Sequence, residues 1–285
     1  MKYILLELIA VAFLATGGIF VRSCSLSPIN CGFYRILFAL PFLFWGARKE
    51  FHLLSKKDTV ILLLSGIYFA TDVGLANMAF GITSVANVNL LSTLTPLTIV
   101  PITFFVFKEK IPKLYPVGLL VSLIGVFLLV SGKINPTEAN YVGDIMAFSS
   151  SIFYALFLLV SYKMRQRISG STILFVAGIG SVVTFFVYAS ALEGFQIPTT
   201  GKDLLILFGL SMCMQVIGQS LFAYCQGKMS VNISSVVGLI QPAFATVYAW
   251  IIFSEKLSIK ELLGILIVVV GIYLVKMQYK EKSIE

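Results

Sequence analysis

Residues 84–96 read SVANVNLLSTLTP and residues 230–242 read SVNISSVVGLIQP. Shifted by about 146 positions, roughly half the chain, the match continues without a gap. Ser84, Val85 and Pro96 fall on Ser230, Val231 and Pro242; Phe107, Glu109 and Lys110 fall on Phe253, Glu255 and Lys256; Gly118 and Gly125 fall on Gly264 and Gly271. About ten identities in about 47 positions is modest for a sequence rich in Leu, Val and Ile. Shared Pro, Glu, Lys and Gly weigh more, because composition alone supplies few of them. An internal duplication is expected, with halves at 1–133 and 134–285.

The chain has 285 residues, 58% of them hydrophobic and 12% charged, and its mean hydropathy is +0.96. A soluble domain carries about 25% charge, so an all-α integral membrane protein is expected. Ten segments approach the roughly 20 apolar residues that a spanning helix needs: 4–21, 30–47, 60–80, 85–107, 114–131, 141–162, 171–191, 203–226, 231–253 and 260–276. Glu7 interrupts the first apolar run, and an equivalent helix opens the second half, so the N-terminus reads as a retained span rather than a cleaved signal peptide. Cys24 and Cys31 flank one short loop and are either a disulfide pair or isolated thiols; the four cysteines have no metal-ligand spacing.

Lys and Arg set the expected orientation. With both termini in the cytoplasm, 15 basic residues lie on that side and 5 outside, with Arg35 left within the second span. That bias accounts for the net charge of +8 without a nucleic-acid partner. Five spans per half is an odd number, so the second half is expected upside down relative to the first. Inverted repeats of this kind hold a substrate near the midplane between halves that exchange conformations.

Ten spans, a 5+5 duplication and the repeated Pro…Glu-Lys stretch resemble the drug/metabolite transporter superfamily, in its EamA-type branch. Three motifs carry the resemblance: LLSTLTPLTIVPITFFVFKEKI (90–111) mirrored by VVGLIQPAFATVYAWIIFSEKL (236–257), GLLVSLIGVFLLV (118–130) mirrored by GILIVVVGIYLV (264–275), and FYRILFALPFLF (33–44), similar to the family's Arg-containing second span. The second half departs from the pattern in having no equivalent of Arg35. The resemblance implies secondary transport of small metabolites across a bacterial inner membrane, often export of amino acids or related compounds. It does not name the substrate.

Polar groups inside a bilayer need partners and are functional candidates by default. Arg35 either snorkels to headgroups or a helix end, or binds a substrate carboxylate bidentately. Asp72 and Asn77, about 140° apart on a straight helix, are solute-binding candidates, with Asp72 also a candidate proton-coupling acid. Glu7 and Asp144 sit nearer helix starts, where the helix dipole explains them. Asn87, Asn89, Ser92 and Thr95 precede or adjoin Pro96, and Asn232, Ser235 and Gln241 precede Pro242. The two prolines are expected to hinge facing spans. These polar residues either line a cavity or permit close helix packing. Gln215, Gln219 and Gln226, with Tyr224 between them, suggest a wet stripe on the eighth span. Tyr154 and Tyr248 are candidate stacking platforms. Glu109 and Glu255 are expected to be structural caps or pairs.

His52 is the one histidine, and no phosphate loop, nucleophile elbow or His/carboxylate set occurs. No enzyme, cofactor or metal is expected. The implied partners are a small-molecule solute, the lipid bilayer and protons as a candidate coupling ion, with monomer and homodimer both open. The rival readings are an importer or exchanger of a nucleotide-derived metabolite, and a membrane scaffold or sensor that transports nothing.

Overall fold

Fourteen α-helices order the described residues of the computed structural model, which are 2–131, 140–254 and 257–277. They are α1 (Lys2–Ala15), α2 (Gly17–Ser23), α3 (Pro28–Ala47), α4 (Lys56–Phe80), α5 (Val85–Ser92), α6 (Thr95–Phe105), α7 (Tyr115–Ser131), α8 (Tyr141–Met164), α9 (Gly170–Tyr188), α10 (Gly201–Leu210), α11 (Ser220–Gln226), α12 (Val231–Gly238), α13 (Gln241–Phe253) and α14 (Ile259–Met277). A nine-residue π-helix, Ser211–Gln219, joins α10 to α11, and a shorter one, Ala189–Glu193, extends α9. No strand occurs among the described residues. Several helices are therefore segments of longer interrupted rods.

Eight rods among the described residues are long and apolar enough to cross a membrane, and α7 and α14, the other two of the ten expected spans, fall near that limit. The two shortfalls have distinct causes. Helix α7 has 17 residues and reaches about 26 Å at 1.5 Å per residue, slightly less than the hydrocarbon core of about 30 Å. Helix α14 has 19 residues, but Lys260, Glu261 and Lys276 sit at its two ends. The two pack along each other. Large apolar side chains such as Trp45, Phe105, Leu120 and Ile251 face outward, as lipid contact requires.

The repeated stretch folds the same way in both copies. Ser84 caps α5 by accepting from Asn87 N (3.2 Å), and Ser230 caps α12 by accepting from Asn232 N (3.3 Å). Each short helix then breaks, and Pro96 or Pro242 stands in the first turn of the next helix. Proline has no N–H and clashes with the carbonyl four residues earlier, here that of Ser92 or Gly238, so neither rod continues as α-helix. Its fixed φ suits a helix start instead.

Glycine makes the α7–α14 seam. A Cβ on Gly118 would meet the Gly271 carbonyl at 2.7 Å, and one on Gly125 would meet the Gly264 carbonyl at 2.9 Å. The helices run antiparallel with backbones in direct approach, and each glycine faces the repeat counterpart of the other. Small residues permit such close crossings where no hydrophobic drive acts between helices.

Carboxylates satisfy many helix starts. Glu193 Oε2 accepts from Ile29 N (3.1 Å) and from the Ser27 hydroxyl at the start of α3. Glu50 accepts from Ser169 N (2.7 Å) and Thr172 Oγ1 (2.6 Å) at the start of α9. Asp203 accepts from Ser25 N (3.0 Å), tying the α2–α3 turn to α10. All four cysteines, Cys24 and Cys31 included, are free thiols, so the disulfide alternative does not hold.

Two measurements test this packing. Gly125→Leu forces α7 from α14 and should lower the stability of the detergent-solubilised protein by about 1–3 kcal/mol, as overpacking does, read as a drop in thermal midpoint. At Glu50, burial opposes ionisation, but hydrogen bonds from Thr172 and Ser169 outweigh it and hold the carboxyl below its ordinary value. A lowered carboxyl contributes stability that is complete above the ordinary value and fades as pH falls through the lowered one. Glu50→Gln should therefore lower stability at neutral pH and flatten the acid limb of the pH–stability curve.

Candidate functional site

A cavity of about 420 Å³ opens inside the bundle among α1–α6, α8, α10, the Ser211–Gln219 π-helix and α11–α13. It extends from the helix breaks toward the end of the bundle that holds Val21, Pro28 and Phe80. Ser92 and Gly238, whose carbonyls lose their proline-blocked partners, both line it, and so do Thr95 and Gln241 at the restarts. The breaks thus bring backbone polar groups and two helix N-termini to one cavity.

Arg35 is the cationic side chain on its wall. Its Nη2 donates to Gln215 Oε1 (2.9 Å), and its guanidinium carbon lies 5.4 Å from the centre of the Phe69 ring. Its Nε is buried with no acceptor. Asp72 lines the same cavity, beside the Ser150 hydroxyl and within electrostatic reach of Arg35. Asn77, Asn89, Thr93, Tyr154, Gln219, Ser235 and Gln241 add to the polar lining, with Tyr154 beside Gln219. Asp72 and Asn77 share the cavity despite their angular separation, because it wraps around one side of α4.

Other candidates lie elsewhere. Asn87 Nδ2 donates to Asp144 Oδ1 (3.1 Å), which also accepts from Thr83 Oγ1 (2.8 Å), joining α5 to α8. Tyr224 is 42% exposed and packs on Tyr3 away from the cavity. The Tyr248 hydroxyl donates to Ala12 O (3.1 Å). Pro96 is buried behind the wall, whereas Pro242 is on it. Gln215 reaches the cavity through Arg35. Gln226 does not, and both its amide atoms are buried without partners. The wider i→i+5 turns of the π-helix change the phase that an α-helical reading assigns to these glutamines.

Glu109 is a structural anchor at the other end of the bundle. It accepts from Tyr162 Oη (2.8 Å), Ser230 Oγ (3.1 Å) and Asn232 Nδ2 (3.3 Å), while Thr103 Oγ1 donates to Asn232 Oδ1 (2.8 Å). Its repeat counterpart Glu255 lies outside the described residues. Glu7 departs from expectation. It sits past the first turn of α1, is 0% exposed, and neither carboxyl oxygen makes a hydrogen bond, so a helix-start dipole does not account for it. An open groove between α3 and α10, lined by Leu37, Phe42, Leu205, Phe208 and other apolar residues, offers a polar solute nothing to bond.

The model of the EamA-like transporter family matches residues 1–131 and 141–277. The chain belongs to that family. An uncharacterized transporter of Clostridium kluyveri is 25% identical, over 76% of this chain and 72% of its own length. The transporter YetK of Bacillus subtilis, also uncharacterized, is 24% identical over 82% and 72%. UDP-xylose transporter 2 of Arabidopsis thaliana is 21% identical over 76% of this chain and 63% of its own length. One crystal structure shares the fold at a TM-score of 0.79 and 14% identity, covering 99% of each chain. This EamA-like chain is therefore a multi-pass membrane protein of a transporter family.

Within the family fold, Gln215 is the residue that holds Arg35 toward the cavity. Gln215→Ala should leave a stably folded protein whose affinity for its solute falls by up to about tenfold. That is the scale of losing a positioning hydrogen bond to a charged group. Equilibrium binding measured beside thermal stability would separate the two effects.

Proposed function

We propose that this chain is a secondary transporter of ten spans, built as a 5+5 inverted repeat of residues 1–133 and 134–285, which exports amino acids or closely related compounds. The single observation that carries the reading is the cavity itself. It lies within the bundle, is solute-sized, and is lined by one guanidinium, one carboxylate and several amides. Functional small-molecule pockets run to about 300–1,000 Å³ with a few convergent polar groups on an apolar wall. An amino acid presents a carboxylate to Arg35 and an ammonium group to Asp72, and the amides of Asn77, Asn89, Gln219 and Gln241 select polar side chains. The reciprocal glycine contacts of α7 and α14, and the two proline-broken rods, support halves related by a two-fold axis. The excess of Lys and Arg on the side of both termini supports a cytoplasmic location for them, in a bacterial inner membrane.

Exchange of a nucleotide-derived solute is the second reading, favoured by the named activity of the plant relative. A diphosphate brings at least two negative charges to a wall with one cation and an opposing carboxylate. The zwitterion fits that balance better. Pro96 and Pro242 are proposed as the hinges about which the halves exchange.

Counterflow decides between the readings. Full-length protein in liposomes preloaded with unlabelled amino acids should take up labelled amino acid. Arg35→Ala should lose about 2 kcal/mol of binding, roughly thirtyfold in affinity, and Gln219→Ala a smaller part. Exchange of nucleotide sugars alone would favour the second reading, and no exchange of any solute by folded protein would remove both.

A further inference from the structure

Glu7 is the one described carboxyl group that is wholly buried and makes no hydrogen bond. Every other buried acid among the described residues has a helix cap or a hydroxyl to answer it. Its place relative to the cavity is informative. Val11, Leu14, Gly18 and Val21 line the cavity and follow Glu7 at intervals of four, three, four and three, which is one face of a helix. Glu7 therefore continues the cavity-facing stripe one turn beyond the cavity's closed end. The Glu109–Tyr162–Ser230–Asn232 network lies toward that same end of the bundle.

The neighbours offer no charge to balance a carboxylate. The Ser234 hydroxyl of α12 lies beside it, outside hydrogen-bonding geometry and itself unpaired. The titratable groups within electrostatic reach are the Cys225 thiol of α11 and the Tyr154 hydroxyl of α8. On α13, Tyr248 is engaged with the Ala12 carbonyl, and on the π-helix Gln215 is engaged with Arg35. No cationic side chain among the described residues acts on Glu7. An ionised carboxylate needs donors or a counter-charge when water is excluded, and neither is here. The neutral acid is the form that fits. Asp72 differs, since it lines the cavity and has the Arg35 charge to answer it.

Resting on the transport reading above, we propose that Glu7 carries the proton that couples the cycle. In the conformation described here it is the neutral carboxylic acid, shut off from the cavity. When the Glu109 end of the bundle opens, water reaches it, its O–H bond breaks, and the proton passes to that water, leaving the carboxylate. Return to the state described here requires the O–H bond to form again with a proton that enters from the opposite side, through the solute cavity. One proton then crosses with each complete cycle, and the cation recognised is H⁺ rather than a metal ion.

Infrared difference spectroscopy of the full chain in liposomes, taken across a pH titration, reads the acid without needing a substrate. A carboxylic-acid carbonyl band of a weakly hydrogen-bonded group should be present in the wild type and in Asp72→Asn, and lost in Glu7→Gln. Labelled amino-acid uptake, with and without a pH gradient, reads the coupling. One pH unit corresponds to about tenfold in solute ratio for one proton. The wild type should approach that ratio, whereas Glu7→Gln should keep exchange at equal pH and lose the response to the gradient. Glu7→Asp keeps the carboxyl and should keep the response with a shifted pH profile, which holds the test open if Glu7→Gln fails to fold. A response retained in Glu7→Gln, a pH profile unchanged in Glu7→Asp, or one that follows a sodium gradient overturns the proposal. Absence of amino-acid exchange by the wild type, with the band present and lost in Glu7→Gln, counts against the transport reading instead.

Discussion

The hydrocarbon core of a membrane offers no water to a stray N–H, carbonyl or charge, so every such group must find its partner within the protein. Much of this fold follows from that constraint. The first turn of each helix carries donors with no intrahelical acceptor, and carboxylates from distant parts of the sequence come to several of them. Glu193 answers α3, and Glu50 answers α9. Glu109 binds the serine and asparagine that open α12. Each bond satisfies a helix end and also fixes the depth of one rod against another. A chain with few charges thus uses many of them as fasteners.

The same constraint, deliberately broken, makes the cavity. Pro96 and Pro242 deny a backbone donor to the carbonyls of Ser92 and Gly238, and both residues face the cavity, where the Ser92 carbonyl accepts from Thr95 Oγ1 (3.4 Å) instead. Unsatisfied backbone at membrane depth is tolerated where it lines a water-filled space. Arg35 lines that space, with one donor held by Gln215 and its Nε buried without an acceptor. The wall therefore combines a positioned cation, a carboxylate and loosened backbone, and the apolar contacts around them hold its shape.

Much of this architecture was legible in the sequence because its key residues have positional meaning. Ser84 and Ser230 are helix caps, Pro96 and Pro242 begin helices, and the paired glycines meet backbone to backbone. Such residues do work that few others can do. Direction around a helix was harder to read. Asn87 and Tyr224 have the right chemistry but point to Asp144 and Tyr3, which only packing decides. The π-helix shifts the glutamine stripe by changing the turn. The helix dipole expected to explain Glu7 fails because distance from a helix start says nothing of what encloses a side chain. The span count is hardest to read at α7 and α14, where length and terminal charge fall near the limit for crossing a membrane alone.

Helix α7 finds its main packing surface on α14, the last described helix in the chain. A ribosome delivering the chain into a membrane therefore releases α7 long before its partner exists. Through synthesis of the whole second half, α7 sits with its glycine face bare to lipid or to the insertion machinery. The seam closes only once α14 has been made. Truncation anywhere before α14 leaves that face without its partner, which makes synthesis of α14 a checkpoint for assembly.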